Sequence, residues 1–136
     1  MKVLGLCLIA IIASATFTPA KAPETVKVKV GKSKVTSAGK VTIKFVSVVE
    51  DSRCPINARC VWAGNARVKL AVSVGKAAAR TIELNSGVEP RSIKADGYVF
   101  TFVELTPYPG DHPDDIKPAD GGIPTLTVSI EKERYP

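Results

Sequence analysis

The side chains with the clearest chemical potential lie in one short stretch, from Glu50 to Gly64. It contains Cys54 and Cys60, and also Trp62, the only tryptophan of the chain. The cysteine spacing is C-x5-C and not the C-x-x-C of a thiol oxidoreductase, so a redox role is disfavoured. An even number of cysteines in an exported chain favours pairing, and we expect a disulfide between Cys54 and Cys60.

Candidate recognition residues in and beside this loop are Arg53, Asn57, Arg59 and Trp62. A loop tied by a disulfide loses little conformational freedom on binding, which favours recognition of a partner. One special case is a protease inhibitor that offers Arg53 or Arg59 to a trypsin-like pocket. The alternative is structural: the disulfide shapes a connection between two strands, and Trp62 packs against it or against the end of the domain. In that interpretation Asp51 and Arg53 pair across the base of the loop, and Gly64 turns the chain.

A second cluster of possible ligands lies in a later loop that is rich in proline, glycine and aspartate, from Pro107 to Pro124. Its candidate metal ligands are Asp111, His112, Asp114 and Asp115. Carboxylate oxygens suit a hard cation such as Ca²⁺, but the spacing is not that of an EF-hand loop. A multi-histidine zinc or copper site is excluded because His112 is the only histidine. A solvated turn is the favoured interpretation, and we predict no cofactor.

The sequence contains few residues that could carry catalysis. A Ser-His-Asp triad would depend on His112 in a proline-flanked loop, and no G-x-S-x-G motif is present. Glu83, Glu104 and Glu131 lie on or beside predicted strands and would be the source of a carboxylate pair for glycoside hydrolysis. Outward-facing glutamates on strands usually pair with lysine, so we predict a protein that is not an enzyme. A carboxylate-dependent hydrolase is kept as an alternative.

The N-terminal segment has the organisation of a secretory signal peptide: a basic start, an apolar run over Val3–Ala15 and small residues after it. The run is shorter than the roughly 20 residues that a membrane span needs. Cys7 lies early in the run, which disfavours lipid attachment. We therefore predict a signal peptide over 1–20, removed after Ala20, and a single domain over 21–136. This mature form would be periplasmic or secreted and would have no transmembrane span.

The chain has a formal net charge of +6, from 19 lysine and arginine residues and 13 acidic residues. The lysines alternate with apolar residues and do not cluster along the sequence, so we interpret them as a solvated sheet face. Attraction to an anionic lipid or a cell-wall polymer is the alternative. Nucleic acid is not an expected partner, because no basic run is interleaved with aromatic residues. The predicted partner is an envelope protein or polymer, and the sequence indicates no particular oligomeric state.

Alternation of apolar and polar residues with a period of two dominates the predicted mature chain and is typical of strands. Between Lys40 and Val49 the inward parity changes after Phe45, which indicates a β-bulge or a strand covered on both faces. The most regular alternation, over Asn65–Val74, precedes a turn near Gly75. A further strand that ends at Leu84 completes a predicted antiparallel hairpin.

A second hairpin is predicted around Asp96-Gly97, because Asp-Gly is a strong signal for a two-residue turn. It joins Ser92–Lys94 to Tyr98–Thr106, whose apolar residues occupy both parities and predict a central strand covered on both faces. Thr25–Val30 and Thr125–Ile130 supply the first and last strands. Seven or eight short strands without helices predict an all-β fold: an antiparallel β-sandwich (Ig-like) or a small barrel, with one disulfide.

The cysteine stretch resembles a signature of small exported bacterial proteins and lipoproteins, D-S-R-C-P-x4-C-x-W-A-G, in its residues Asp51-Ser-Arg-Cys-Pro-Ile-Asn-Ala-Arg-Cys-Val-Trp-Ala-Gly64. Two later stretches are similar to the same group, Leu105-Thr-Pro-Tyr-Pro and Ile116-Lys-Pro-Ala-Asp. The resemblance covers Val41 to Ile130. The chain departs from the group at Gly121-Gly122, where a tyrosine often stands. The resemblance implies export but no particular activity.

These features together predict a non-catalytic exported protein, a binding or envelope-associated module that uses the disulfide-tied loop. The alternatives are a protease inhibitor that presents the Cys54–Cys60 loop and a carboxylate-dependent hydrolase. Burial of both Arg53 and Arg59 in ion pairs would exclude the inhibitor. A deep cleft with two carboxyl groups facing one another would favour the hydrolase.

Overall fold

The structure is a computed structural model that describes residues 14–17, 19, 21–110 and 122–134. Within these ranges the chain forms eight strands and no helix. The strands are β1 (Glu24–Lys29), β2 (Ser33–Val35), β3 (Val41–Asp51), β4 (Ala66–Val74), β5 (Arg80–Asn85), β6 (Ser92–Ala95), β7 (Tyr98–Thr106) and β8 (Thr125–Lys132). Two antiparallel four-stranded sheets result, with the orders β1-β8-β7-β6 and β2-β3-β4-β5. The predicted antiparallel β-sandwich is confirmed.

The inward faces of the two sheets form one hydrophobic core. On β4, for example, Ala66, Val68, Leu70 and Val72 are buried, whereas the residues between them are half-exposed. Because side chains alternate across a strand, this pattern follows directly from the sequence. Complete burial of a valine, leucine or phenylalanine side chain contributes about 1.5–3 kcal/mol, so the core is the main source of stability. No helix among the described residues is long and apolar enough to cross a membrane.

Bulges explain both places where the apolar parity changes. In β3 the register with β4 shifts between Phe45 and Ser47, which confirms the predicted bulge. In β7 the register with β8 shifts after Phe102. Val103 is 45% exposed there, whereas Leu105 is only 2% exposed. The prediction that β7 is covered on both faces is therefore wrong: the extra residue returns Leu105 to the core face.

Both predicted hairpins are confirmed. Strands β4 and β5 pair antiparallel, with Leu70 opposite Ile82, and Gly75 lies in the turn that follows β4. Strands β6 and β7 are joined by Asp96 and Gly97, with φ values of 50° and 80°. Two successive positive φ values are characteristic of a type I′ turn, whose twist matches that of the flanking strands.

Glu24 links the two sheets at the edge formed by β1 and β2. The backbone N–H of Ser37 donates to Glu24 Oε1 at 2.6 Å, and Ser37 Oγ donates to Oε2 at 3.0 Å. Chiefly because of the backbone hydrogen bond, the pKa of Glu24 is lowered below its ordinary value. A carboxylate is stabilised in its charged form when it accepts such a bond.

We expect Ser37→Ala to leave most of this lowering of the Glu24 pKa in place, because the peptide N–H remains after the hydroxyl is removed. An NMR titration of the Glu24 carboxyl carbon in both proteins measures the effect. The folded-state pKa is depressed, so the contribution to stability is present above the unfolded-state pKa and is lost as the pH falls through the folded-state pKa. A complete return of the pKa to its ordinary value in Ser37→Ala would contradict the assignment to the backbone donor.

Candidate functional site: the disulfide-tied loop and its groove

Residues 52–64, which connect β3 to β4, are called the cysteine loop. Cys54 and Cys60 form the predicted disulfide, with their Cα atoms 5.8 Å apart. The base of the loop continues the pairing of the two strands: Ser52 N donates to Asn65 O at 2.8 Å, and Cys54 N donates to Ala63 O at 3.0 Å. In the chain-entropy model, a disulfide across so short a loop stabilises the folded state by about 2 kcal/mol, because it restricts the unfolded chain.

Arg53 fastens the cysteine loop to the sandwich. Its Nε and Nη2 atoms donate to the two carboxylate oxygens of Asp51, each at 2.8 Å. Its guanidinium also donates to the backbone carbonyls of Leu105 and Pro107. The predicted pair of Asp51 and Arg53 is thus confirmed. Since Arg53 is only 8% exposed, it stabilises the loop and is not available to the pocket of a protease.

The segment 107–110, which follows β7, supports the other side of the cysteine loop. The ring of Tyr108 lies with its centroid 4.5 Å from Arg53 Cζ, a cation–π contact. Ile56 N donates to Pro109 O at 3.0 Å. A Cβ atom on Gly110 would lie 2.9 Å from Pro55 Cβ, so only glycine fits there without a shift. Two of the stretches that resemble the exported bacterial proteins therefore contact each other in this structure.

Trp62 points into solvent, with 65% of its surface exposed. Val61 next to it is fully exposed, and Ile56 is 42% exposed. The expectation that Trp62 packs against the disulfide or the end of the sandwich is wrong. Arg53 and the segment 107–110 already occupy the space beneath the loop, so the tryptophan is directed outwards.

Trp62 borders a groove of about 650 Å³. We call it the Trp62 groove, and its side chains are Glu50, Trp62, Asn65, Arg67, Thr81, Ile82, Glu83, Asn85, Val88, Glu89, Pro90 and Ile93. Arg67 lies between two of its carboxylates: Nη2 is 3.9 Å from Glu50 Oε2, and Nε is 3.9 Å from Glu83 Oε2. Within the described part of the chain, Nε of Arg67 is buried and has no hydrogen-bond partner.

Two buried amides hold the far wall of the Trp62 groove. Asn65 Nδ2 donates to Asn85 Oδ1 at 2.9 Å, and Asn85 Nδ2 donates to Pro90 O at 3.2 Å. Gly87 N in turn donates to Asn65 Oδ1 at 2.9 Å. This network fixes the residues after β5 against the start of β4, so the groove is formed before any ligand binds. The sequence analysis did not predict this groove. Its only local signals were two asparagines next to strand ends, Asn65 and Asn85, each close to a glycine.

The other candidate residues lie apart from one another. Arg59 is exposed and Asn57 is exposed beside Gly110. The candidate metal ligands Asp111, His112, Asp114 and Asp115 lie outside the described residues. Glu83 lines the Trp62 groove, Glu104 lines a different groove, and Glu131 pairs with Arg134 at 3.2 Å. The three glutamates considered for hydrolysis therefore do not meet at one site.

Comparison with protein-family models, with curated proteins and with solved structures finds no match to this chain. The geometry of the site is what bears on the function. That geometry combines an exposed aromatic face, a preformed groove with charged walls, and a loop held from two sides. Such an arrangement suits binding to the surface of another protein or to a polymer chain.

Proposed function

We propose that the mature chain is an exported, non-catalytic binding module associated with the cell envelope, which recognises a protein or polymer through the cysteine loop. The observation that carries this proposal is the 65% exposure of Trp62 on a loop fixed by a disulfide and by Arg53. A tryptophan side chain that is exposed to water contributes no free energy of burial until a partner covers it. A large aromatic side chain that is held outwards on a rigid support is typical of a binding hot spot.

The rigidity of the cysteine loop adds to the affinity that Trp62 can supply. A flexible loop must be ordered when it binds, at a cost of about 0.5–1.5 kcal/mol for each immobilised side chain. Here the backbone of the loop is ordered beforehand by the contacts of Arg53 with Asp51, Leu105 and Pro107. More of the free energy gained by covering the apolar surface of the loop is therefore available for binding.

The walls of the Trp62 groove indicate the chemistry of the partner. Three carboxylates and one guanidinium line it, from Glu50, Glu83, Glu89 and Arg67, so its net charge is negative. Carboxylates accept hydrogen bonds and attract cations, and the tryptophan face also attracts cations. A partner that presents ammonium, guanidinium or hydroxyl groups beside an apolar surface fits this groove best.

The arrangement of the carboxylates supports a function without catalysis. Hydrolysis of a glycosidic bond needs two carboxyl groups that flank a bound sugar. Glu50 and Glu83 are instead separated by Arg67, which pairs with both of them at 3.9 Å. A disulfide in a chain with a signal-like N-terminal segment supports export, since disulfides persist in oxidising compartments.

Trp62→Ala should abolish or strongly weaken capture of the envelope partner while it changes the free energy of unfolding by less than about 1 kcal/mol. The proteins would be immobilised, exposed to envelope extract and compared by mass spectrometry of what each retains. In the wild-type protein Trp62 is the only tryptophan, so its fluorescence reports directly on the loop. Acrylamide should quench the free protein efficiently and the complex with the purified partner much less.

Val103→Ala is the matched control for Trp62→Ala. Val103 is an apolar side chain on β7 with 45% exposure, and it lies outside the Trp62 groove. The control should retain the partner at the level of the wild type. Equal capture by wild type and Trp62→Ala would show that the cysteine loop is not the recognition surface.

A protease inhibitor on the same loop would now depend on Arg59, which is the exposed arginine of the two candidates. Arg59 follows the turn in which Ala58 N donates to Pro55 O at 3.1 Å. If the chain inhibits a trypsin-like protease, Arg59→Ala should remove inhibition and Trp62→Ala should not. This result would show that the loop inhibits a protease and is not the recognition surface of a binding module.

A further inference from the structure

The Trp62 groove lies between two edge strands, β5 of one sheet and β6 of the other. Thr81, Ile82 and Glu83 of β5 line it, together with Ile93 of β6. We infer that an extended segment of a partner protein binds in this groove and pairs with β5 as an added strand. The inference rests on the recognition function proposed above, because Trp62 borders the same groove, and it identifies the partner as a peptide chain.

The hydrogen bonds near the end of β5 show which of its peptide groups face the groove. Ser86 N donates to Ala66 O of β4 at 2.9 Å, so this peptide group points into the sheet. Asn85 N donates instead to Pro90 O at 3.0 Å, which lies on the side away from β4. Successive residues of an antiparallel strand direct their peptide groups to alternate sides. The odd-numbered residues of β5 therefore face away from β4.

Thr81 and Glu83 share this outward direction, because the pairing of β5 with β4 is regular from Arg80 to Asn85. In the described part of the chain, β5 pairs with β4 alone. The N–H and C=O groups of Thr81 and Glu83 thus form an open edge along the groove. An unpaired edge of this kind is a template for another extended chain.

The spacing of these groups favours a peptide over other polymers. Thr81 and Glu83 are two residues apart, so their peptide groups repeat at about 7 Å along the strand. An extended peptide presents complementary N–H and C=O groups at the same repeat and can form two hydrogen bonds with each of the two residues. Sugar and phosphate polymers lack alternating N–H and C=O groups at this repeat.

The two faces of β5 determine the side chains that the added strand should carry. Ile82 points to the core and is 7% exposed, and Ile93 is a partly buried residue that packs against the same core. Side chains of the added strand on this inner face would therefore meet an apolar floor. The alternate side chains would lie beside Thr81 and Glu83, next to water and the charged wall of the groove. We expect a partner segment in which apolar and polar residues alternate.

The groove is ready to accept such a strand without rearrangement. The hydrogen bonds from Asn65 to Asn85 and from Asn85 to Pro90 hold the residues after β5 in place. A strand that lies along β5 also reaches the indole of Trp62 at the border of the groove. Main-chain pairing and burial of the tryptophan would then contribute to one binding event.

Amide hydrogen exchange tests this geometry in the free protein and in the complex. In the free protein, the amides of Ile82 and Leu84 should exchange slowly because they donate to β4, and those of Thr81 and Glu83 should exchange rapidly. Binding of a peptide should protect Thr81 and Glu83. If these two amides exchange at the same rate in the complex as in the free protein, the inference is overturned.

A phage-displayed library of random heptapeptides is the binding probe. Selection on the wild type should enrich sequences in which apolar residues alternate with polar ones. Synthetic copies should bind Thr81→Pro at least tenfold more weakly, because this variant lacks one outward N–H. Proline is tolerated on an edge strand where the N–H position faces away from the sheet. Thr81→Ala keeps the N–H and should bind as the wild type does.

Thr25→Pro is the matched control on the edge strand β1. Val30 N donates to Pro124 O, so the even-numbered residues of that strand face β8 and the peptide N–H of Thr25 faces away from it. Thr25 lies outside the Trp62 groove, and Thr25→Pro should bind the peptides at the level of the wild type. A peptide with an N-methyl group at a paired amide tests the same hydrogen bond without altering the protein, and it should lose at least tenfold in affinity.

The inference is overturned if selection on the wild type enriches no peptide beyond those that bind Thr81→Pro, or if the enriched peptides bind both proteins equally. Capture from envelope extract separates it from the proposed function. A partner lost by Trp62→Ala but retained by Thr81→Pro, such as a glycan, would contradict strand pairing and leave the cysteine loop as the recognition surface. A partner lost by Thr81→Pro but retained by Trp62→Ala would support strand pairing and contradict the role of the loop.

Discussion

Replacing Arg53 by alanine should lower the free energy of unfolding by about 3 kcal/mol, the effect expected when one partner of a buried ion pair is removed. Three groups lose their donor: the carboxylate of Asp51 and the carbonyls of Leu105 and Pro107. The side chain of Asp51 is 28% exposed, so water can compensate part of its loss, and we place the effect at the lower end of the usual range. Arg53→Lys should recover only part of it, because an ammonium group cannot form the two parallel hydrogen bonds of the guanidinium.

Chemical denaturation followed by far-ultraviolet circular dichroism measures this difference. The matched control is Arg59→Ala, in which the same residue type is removed from an exposed position of the same loop. It should change the free energy of unfolding by less than about 0.5 kcal/mol. If Arg53→Ala were as stable as Arg59→Ala, Arg53 would not be the residue that fastens the loop.

Gly64→Ala should destabilise the protein by about 3 kcal/mol or more, or prevent folding, because two unfavourable effects add at this position. Gly64 has φ +74°, a conformation that alanine adopts only with strain. A Cβ atom there would also overlap the backbone carbonyl of Ser52 and lie 2.8 Å from Arg53 Cα. Both neighbours are backbone atoms of the loop base, so they cannot move aside without breaking the pairing between Ser52 and Asn65.

Gly75→Ala separates the two effects. Gly75 also has a positive φ, +57°, but nothing lies within 4 Å of the Cβ atom that alanine would add. This variant should therefore lose only about 1 kcal/mol, the cost of the left-handed conformation alone. Thermal unfolding of both variants provides the comparison. Equal losses would mean that the close approach of Ser52 to Gly64 relaxes at no cost.

Both large effects concern the base of the cysteine loop, which has a consequence for the proposed function. Arg53 and Gly64 stabilise the loop from beneath, whereas Trp62 lies on its outer side and contributes little to folding. Variants of the first kind should lose partner binding together with stability, and Trp62→Ala should lose binding alone. Measuring stability and capture on the same set of variants therefore distinguishes a positioning role from direct contact.

Much of the fold was predictable from the sequence, because the signals are local. The alternation of Asn65–Val74 specifies a strand whose one face is buried, since side chains alternate across the backbone. Asp96-Gly97 specifies a two-residue turn because both residues tolerate a positive φ. The change of parity after Phe45 indicated either a bulge or a strand covered on both faces, and the structure has a bulge there. The pairing of Cys54 with Cys60 followed from their being the two cysteines after the signal-like segment.

The candidate site depended on contacts between distant parts of the chain, which no local pattern specifies. Arg53 is buried because β7 places the carbonyl of Leu105, 52 residues later, beside its guanidinium. The space beneath the loop is thereby filled, and Trp62 is exposed instead of packed.

The sequence by itself determined seven of the eight strands, the hairpin turns and the disulfide, because each depends on local patterns; the short edge strand β2 was not predicted. Only the tertiary structure decided which side chains are free to bind. The convergence of Ile82 and Ile93 and the placement of Arg67 between Glu50 and Glu83 both require strands to meet across the sandwich. Their physical cause is sheet pairing and packing between residues that are far apart in the sequence. Neither composition nor periodicity specifies which distant residues meet.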